Sequence, residues 1–153
     1  MEFTEICKPF GSLTTKELYA VLKLRSEIFV VEQNCVFLDM DDKDQDCQHL
    51  MLYHKKELMA YSRIVPAGVS YTEPSIGRIV SSHAARGKGF GKQLLLLSIK
   101  NCKRLHGNRP IRIGAQLYLK TFYESFGFVV AGEVYDEDGI DHIEMVRPAD
   151  DNK

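Results

Sequence analysis

The chain has 153 residues, 44% of them hydrophobic and 27% charged, with a formal net charge of −1. That length suits one domain, residues 1–153, with a real core. The balanced charge argues against nucleic acid or an anionic membrane surface as partner, and no apolar run of roughly eighteen residues could span a bilayer.

The opening "MEFTEICKPF" carries two acids and lacks the basic-then-apolar order of a secretory signal. The cysteines at 7, 35, 47 and 102 form no C-x-x-C pair. They read as reduced thiols of a cytoplasmic protein without a metal site.

"LTTKELYAVLKLRSEIF" predicts a helix. Thr14 and Glu17 make a capping box, with Leu13 and Leu18 placed as a hydrophobic staple. Leu18, Val21, Leu22 and Phe29 recur at helical spacing, and Arg25 falls on the same stripe, where a charge needs a partner or a ligand. Glu32 is one candidate partner for it. The acidic "DMDDKDQD" follows. Its spacing fails the EF-hand pattern, and Cys47 and His49 lack the companions of a zinc site. It reads as a solvated loop, or as a set of carboxylates that draws in a cationic amine.

"QHLMLYH" and "LMAYSRIV" flank a short turn and predict a hairpin. "PAGVSYTEP" is loop, "SIGRIVS" a strand, and "QLLLLSIKNCKRLH" a helix ended by Gly107 and Asn108. "PIRIGAQ" is a strand, "LKTFYESF" a short helix and "GFVVAGEVYD" a strand. Asp138-Gly139 then turns the chain into a last strand, "IDHIEMV". Strand, helix, strand in the middle implies a right-handed parallel crossover, and the hairpins at either end imply antiparallel partners. The expected architecture is α/β (α+β): a mixed, mostly antiparallel sheet with helices on both faces. Edge strands at both ends could pair two copies into a homodimer.

Between strand and helix lies "RGKGFGK". A Walker loop would require a first glycine where Arg86 stands and a hydroxyl where Gln93 stands. A dinucleotide fingerprint would require a glycine at Lys92 and an acid about twenty residues on, where "PIRIGAQ" has none. The pattern present is R-x-x-G-x-G: Arg86, Gly89 and Gly91. Glycines let a backbone turn sharply and approach an anion, and the helix behind supplies its positive end.

This loop, with "LKTFYESFGFVVAGEVY" downstream, resembles the two signatures of the GCN5-related N-acetyltransferases. "LRSEIFVVEQ", "GAQLYLKTFYESFGF" and "EDGIDHIEM" extend the resemblance, from about Leu18 to Met145, to the bacterial ElaA-like branch of that superfamily. The resemblance implies a central pair of parallel strands that splay apart, and a bound acetyl-CoA co-substrate without metal. Ile79, Val80, Ser81 and Gln116 would line the pantetheine arm. Arg86, Gly87, Lys88, Gly89, Phe90, Gly91 and Lys92 would hold the pyrophosphate, and an amide near Val80 would polarise the thioester carbonyl. Gly114 suits a close backbone approach or a bulge. Phe122 and Phe126 share a helical face and would pack on the core, leaving Tyr123 pointing elsewhere as general acid. The family's strand glutamate is missing from "SIGRIVSS", so Glu32, His49 and His142 are the candidate bases, His142 sharing a strand face with Glu144. Arg25, Gln33 and His49 would wall the acceptor site. The expected activity is direct transfer of acetyl to a primary amine, on a small molecule or a peptide, within a ternary complex. The missing glutamate leaves room for a non-catalytic acetyl-CoA sensor or interaction module.

Overall fold

The computed structural model describes residues 2–151. It contains two four-stranded sheets in which every paired ladder is antiparallel.

The first sheet opens with a strand the sequence reading misses, β1 (Thr4–Pro9). Its pattern is weak, it ends in proline, and it pairs only with β2 (Gln48–His54) at the sheet edge. The helix α1 (Thr15–Arg25) carries the expected capping box: Glu17 N–H donates to Thr14 Oγ1 at 3.1 Å, and Thr14 N–H to Glu17 Oε1 at 2.8 Å. It runs on as a π-helical stretch, Ser26–Glu32. The buried face is Val21, Leu24, Arg25 and Ile28: Val21 and Arg25 lie on it as expected, whereas Leu18, Leu22 and Phe29 are only partly buried and Leu24 and Ile28 take the inner positions. Such π turns shift a helix face and cluster at functional sites; here the stretch delivers Glu32 and Gln33 to the cleft described below.

β2 and β3 (Glu57–Val65) form the expected hairpin. Its turn residues, Lys55 and Lys56, have φ of +48° and +66°, the conformation of a tight primed turn. Successive side chains of β2 face opposite ways. Met51 joins the α1 core, whereas Leu50 and Leu52 join Phe90 and Leu94 on the other face.

β3 pairs with β4 (Ser75–Ser81) through a bulge. Tyr61 opposes Val80 and Arg63 opposes Gly77, so Arg78 and Ile79 both stand against Ser62. Arg78 takes φ +47° there. A bulge kinks its strand and re-aims side chains.

The helix α2 (Phe90–His106) buries Leu94, Leu95, Ile99 and Cys102 as expected, and Gly107 ends it at φ +85°. It leads to β5 (Ile111–Gln116), the first strand of the second sheet. A short helix, α3 (Lys120–Glu124), follows. "GFVVAGEVYD" proves to be two strands, β6 (Val129–Val130) and β7 (Tyr135–Glu137), both pairing with β8 (Ile140–Arg147). β8 also pairs with β5 along its length.

The expected single sheet is thus divided between β4 and β5. Where these strands begin, Arg112 N–H donates to the Pro74 carbonyl at 3.1 Å. Beyond that point they run in the same sense without a ladder and both line one cleft. One apolar core bridges the division. Ile64 and Ile76 of the first sheet, and Ile111, Ile113 and Met145 of the second, pack together with Leu95, Ile99 and Cys102 of α2.

Candidate active site

The cleft between the splayed strands has a volume of about 840 Å³, in the range of small-molecule and cofactor sites. Ile79, Val80 and Ser81 line it from β4, and Gly114 and Gln116 from β5. Ser82 N–H donates to Met59 O at 2.8 Å. By the alternation of an antiparallel ladder, the N–H and C=O of Ser81 turn away from β3, toward the side β5 has left open. The outward-facing amide nearest the expected Val80 is therefore that of Ser81.

The glycine loop follows β4, and its Arg86 lines the cleft. Gly87 and Gly89 take φ of +74° and +78°, which L side chains resist, and a Cβ on Gly87, Gly89 or Gly91 would meet nothing within 4 Å. The amides of Arg86 and Lys88 are turned inward, donating at 3.3 Å to His83 O and Ala85 O. Among the described residues, those of Gly87, Gly89, Phe90, Gly91 and Lys92 have no protein acceptor. The cradle is narrower than the expected span, yet it is open, and it stands at the positive end of α2. The Phe90 side chain is buried, tilted against Phe3 with 6.1 Å between centroids. The Arg86 guanidinium is bonded to the Glu32 carboxylate, leaving Lys88 and Lys92 as exposed cations of the loop.

Glu32 lines the cleft with that pairing, and His83 Nδ1 lies 3.4 Å from its other oxygen. The bond to Arg86 holds the Glu32 carboxyl below its usual range, which weakens it as a proton acceptor. Gln33 and Gln116 face each other across the cleft, their amides 3.3 and 3.5 Å apart. Tyr123 also lines the cleft and is 5% exposed, packed edge-on against Phe122 and Phe128. It is the inward aromatic of α3, whereas Phe122 and Phe126 are only partly buried, reversing the expected arrangement. Burial pushes its phenol up, so it stays protonated. His142 lines the cleft from β8, with Nδ1 2.8 Å from Ile140 O and Nε2 3.3 Å from Glu137 Oε2. Glu144, expected beside it, instead accepts from Arg112 at 3.0 Å.

Two expected acceptor residues are elsewhere. Arg25 is 0% exposed, its guanidinium donating to Asp39 and Asp44 at 2.8 Å. It is a structural charge whose partners come from the acidic loop and not from Glu32. His49 is 1% exposed. Its Nε2 donates to Asp44 O at 2.9 Å, so Nδ1 accepts from the Tyr61 hydroxyl at 2.6 Å. Both nitrogens are spent, and burial lowers its pKa.

The acidic loop is neither solvated throughout nor left to attract amines. Asp39, Asp41 and Asp44 bind three arginines, Arg25, Arg63 and Arg78. Burial raises the Asp41 carboxyl, but the two guanidiniums beside it dominate and hold it far below its usual range. Sequence reasoning also missed Arg63, Lys43, Tyr71 and Glu137, all of which line the cleft. Gly114 gives the one usable hint of Tyr71: its close neighbours are phenols, a Cβ there falling 2.7 Å from Tyr135 Oη and 2.9 Å from Tyr71 Oη.

An open amide cradle, a bulged strand and a splayed partner make a cleft suited to an extended anionic ligand. Residues 27–148 match the model of the acetyltransferase (GNAT) domain. The chain is 42% identical to protein ElaA of Escherichia coli over 139 residues, covering 90% of this chain and 91% of that one. The crystal structure of ElaA aligns at TM-score 0.89 and 38% identity over 95% of this chain and 99% of that one. An acyl-CoA N-acyltransferase from Pseudomonas aeruginosa aligns at TM-score 0.91 and 42% identity, over 95% and 99% of the two chains. At 15% identity and TM-score 0.63, an acetyl-CoA-bound GNAT acetyltransferase from Elizabethkingia anophelis shares the fold over 95% of this chain and 97% of that one. The chain belongs to the GNAT acetyltransferase family, whose members move an acyl group onto an amine acceptor.

Proposed function

We propose that the protein transfers acetyl from acetyl-CoA directly to a primary amine while both are bound. The observation that carries this reading is the run of unspent amides at Gly87, Gly89, Phe90, Gly91 and Lys92, beside a β4 edge with no neighbour. They suit a diphosphate, and the open space above the glycines leaves room for it. The acetyl-CoA-bound neighbour of the same fold supports the assignment.

When bound, acetyl-CoA supplies the activated acyl group. Ile79, Val80 and Ser81 would line its pantetheine arm with Gln116 opposite, and Lys88 and Lys92 would flank its phosphates. The outward Ser81 N–H would donate to the acyl oxygen as negative charge develops there. Tyr123, kept protonated by burial, would give its proton to the departing thiolate. Of the candidate bases, His142 is the one that lines the cleft without an arginine partner, since Glu32 is held by Arg86 and His49 lies outside the cleft; its Nδ1 donates to Ile140 O, and its Nε2 would have to turn from Glu137 to take the amine proton. Direct transfer fits Cys47 and Cys102, which lie outside the cleft with pKa values pushed up to about 11 by burial; Cys35, the thiol that lines the cleft, donates to Asp138 O at 2.8 Å.

Titration of acetyl-CoA by calorimetry, followed by a thiol-release assay over a panel of amines, tests the proposal. Saturable binding with release that depends on the amine is expected. Absence of acetyl-CoA binding would overturn it, as would release of CoA through a covalently acetylated protein.

A further inference from the structure

The cleft continues past the expected site of transfer to its far end, where Lys43, Ser70 and Tyr71 form the wall. Of the charged side chains lining the cleft, Arg63 is bonded to Asp41 and Asp44, Arg78 to Asp39 and Asp41, and Arg86 to Glu32. Lys43 has no carboxylate partner among the described residues; its ammonium donates only to Ser70 Oγ, at 3.2 Å. Because Ser70 accepts there, its own O–H is free to donate. Another cleft-lining side chain keeps a donor unspent, though a buried one. Arg63 is 3% exposed, its Nε has no acceptor among the described residues, and it would sit 3.9 Å from a Cβ on Gly77 in the cleft wall.

The backbone around Lys43 is fixed. Asp41 and Asp44 on either side bind Arg63, Lys43 N–H donates to Asp41 Oδ1 at 3.2 Å, and Cys47 Sγ donates to Lys43 O at 3.1 Å. A turn closed by Gly68 N–H on Tyr71 O, at 2.7 Å, holds Ser70 from the other side. At the β7–β8 turn the charge is opposite: Glu137 and Asp138 line the cleft there. Phe37, Leu38, Val65 and Ile76 supply apolar walls.

We infer that the acceptor is an amino-carboxylate with an apolar body, such as an aliphatic or aromatic amino acid, whose carboxylate is bound by Lys43 and Ser70. The arginine–aspartate network is the mount for that lysine. This rests on the acetyltransferase reading and adds the acceptor's class to it.

Matched pairs separate the two ideas: leucine against 3-methylbutylamine, and phenylalanine against phenethylamine. The wild type should acetylate the amino acids with a kcat/KM about tenfold or more above that of their decarboxylated partners, since a charged hydrogen bond is at stake. Lys43→Met should erase that preference by raising KM for the amino acids alone, and Lys43→Arg should keep much of it. Equal or reversed preference in the wild type, or a preference that survives Lys43→Met, overturns the inference and leaves the acetyltransferase reading standing. If no acceptor turns over, that reading fails instead. Calorimetry of the same pairs on the CoA-loaded protein then decides the subsite: amino acids binding more tightly in a Lys43-dependent way support it, and equal binding removes it.

Discussion

The two ends of the cleft are built from different materials. The proposed cofactor end is main chain: amides of one continuous loop, made available by glycines and aimed by the helix behind them. The proposed acceptor end is side chain, from the π-helical stretch, the acidic loop, β3, the 66–74 loop and the β7–β8 turn. A main-chain site needs residues that stay out of the way, so it leaves a short sequence motif. A side-chain site assembled from five segments leaves none, and its charges make sense only once their partners are known.

The acceptor end breaks most readily through its hidden support. Arg25→Ala leaves Asp39 and Asp44 without a buried cation and should cost about 3–5 kcal/mol in urea denaturation. Arg25→Lys should lose less of that stability while still failing to bridge both carboxylates. Tyr123→Phe probes the junction of the two ends. We expect kcat to fall by about 10²-fold, with acetyl-CoA affinity by calorimetry little changed. At the cofactor end, Gly89→Ala forces a side chain into φ +78°. It should lose about 1–2 kcal/mol of stability and about tenfold in acetyl-CoA affinity, while the acidic loop keeps its pairing. Thr14→Ala serves as the control remote from both ends: about 1 kcal/mol of stability goes with the cap, and acetyl-CoA binding does not move.

The smallest effect expected is in pH dependence. Burial depresses His49, so the folded protein favours its neutral form. As pH falls through the ordinary value of 6.5, the unfolded chain takes up the proton first, and stability declines from there toward the lower folded-state pKa. Above pH 6.5 the contribution is fully present. Urea midpoints of the wild type and His49→Gln across this window should differ in slope, the variant declining less steeply.

Much of the fold was legible. The capping box at Thr14 and Glu17, the β2–β3 hairpin, α2 with its Gly107 stop and the Asp138-Gly139 turn all lie where local chemistry put them. β1 escaped because an edge strand ending at Pro9 draws its order from β2 and not from its own pattern. The break between β6 and β7 escaped because "VVAGEVY" alternates weakly and only pairing with β8 divides it. Ile79, Val80, Ser81, Arg86, Gln116, Tyr123 and His142 line the cleft, and Gly87, Gly89 and Gly91 follow Arg86 in an open loop. Arg25 and His49 were misplaced for a common reason. A polar side chain on a buried stripe announces a partner, and sequence spacing does not say whether that partner is a ligand or an aspartate fourteen residues on, as Asp39 is for Arg25.

The contact between Arg112 and Pro74 has a mechanical corollary. The return donor of a parallel pair would be the Ile76 N–H, and no such bond forms, so one main-chain bond marks the apex from which β4 and β5 diverge. Backbone pairing therefore cannot set how wide the jaws stand. That gape is governed by the girth of the side chains wedged beneath them, Ile76 and Ile113 among others. Whittling one of those isoleucines to valine would change the gape of the cleft as well as the wall it presents, since both also line it.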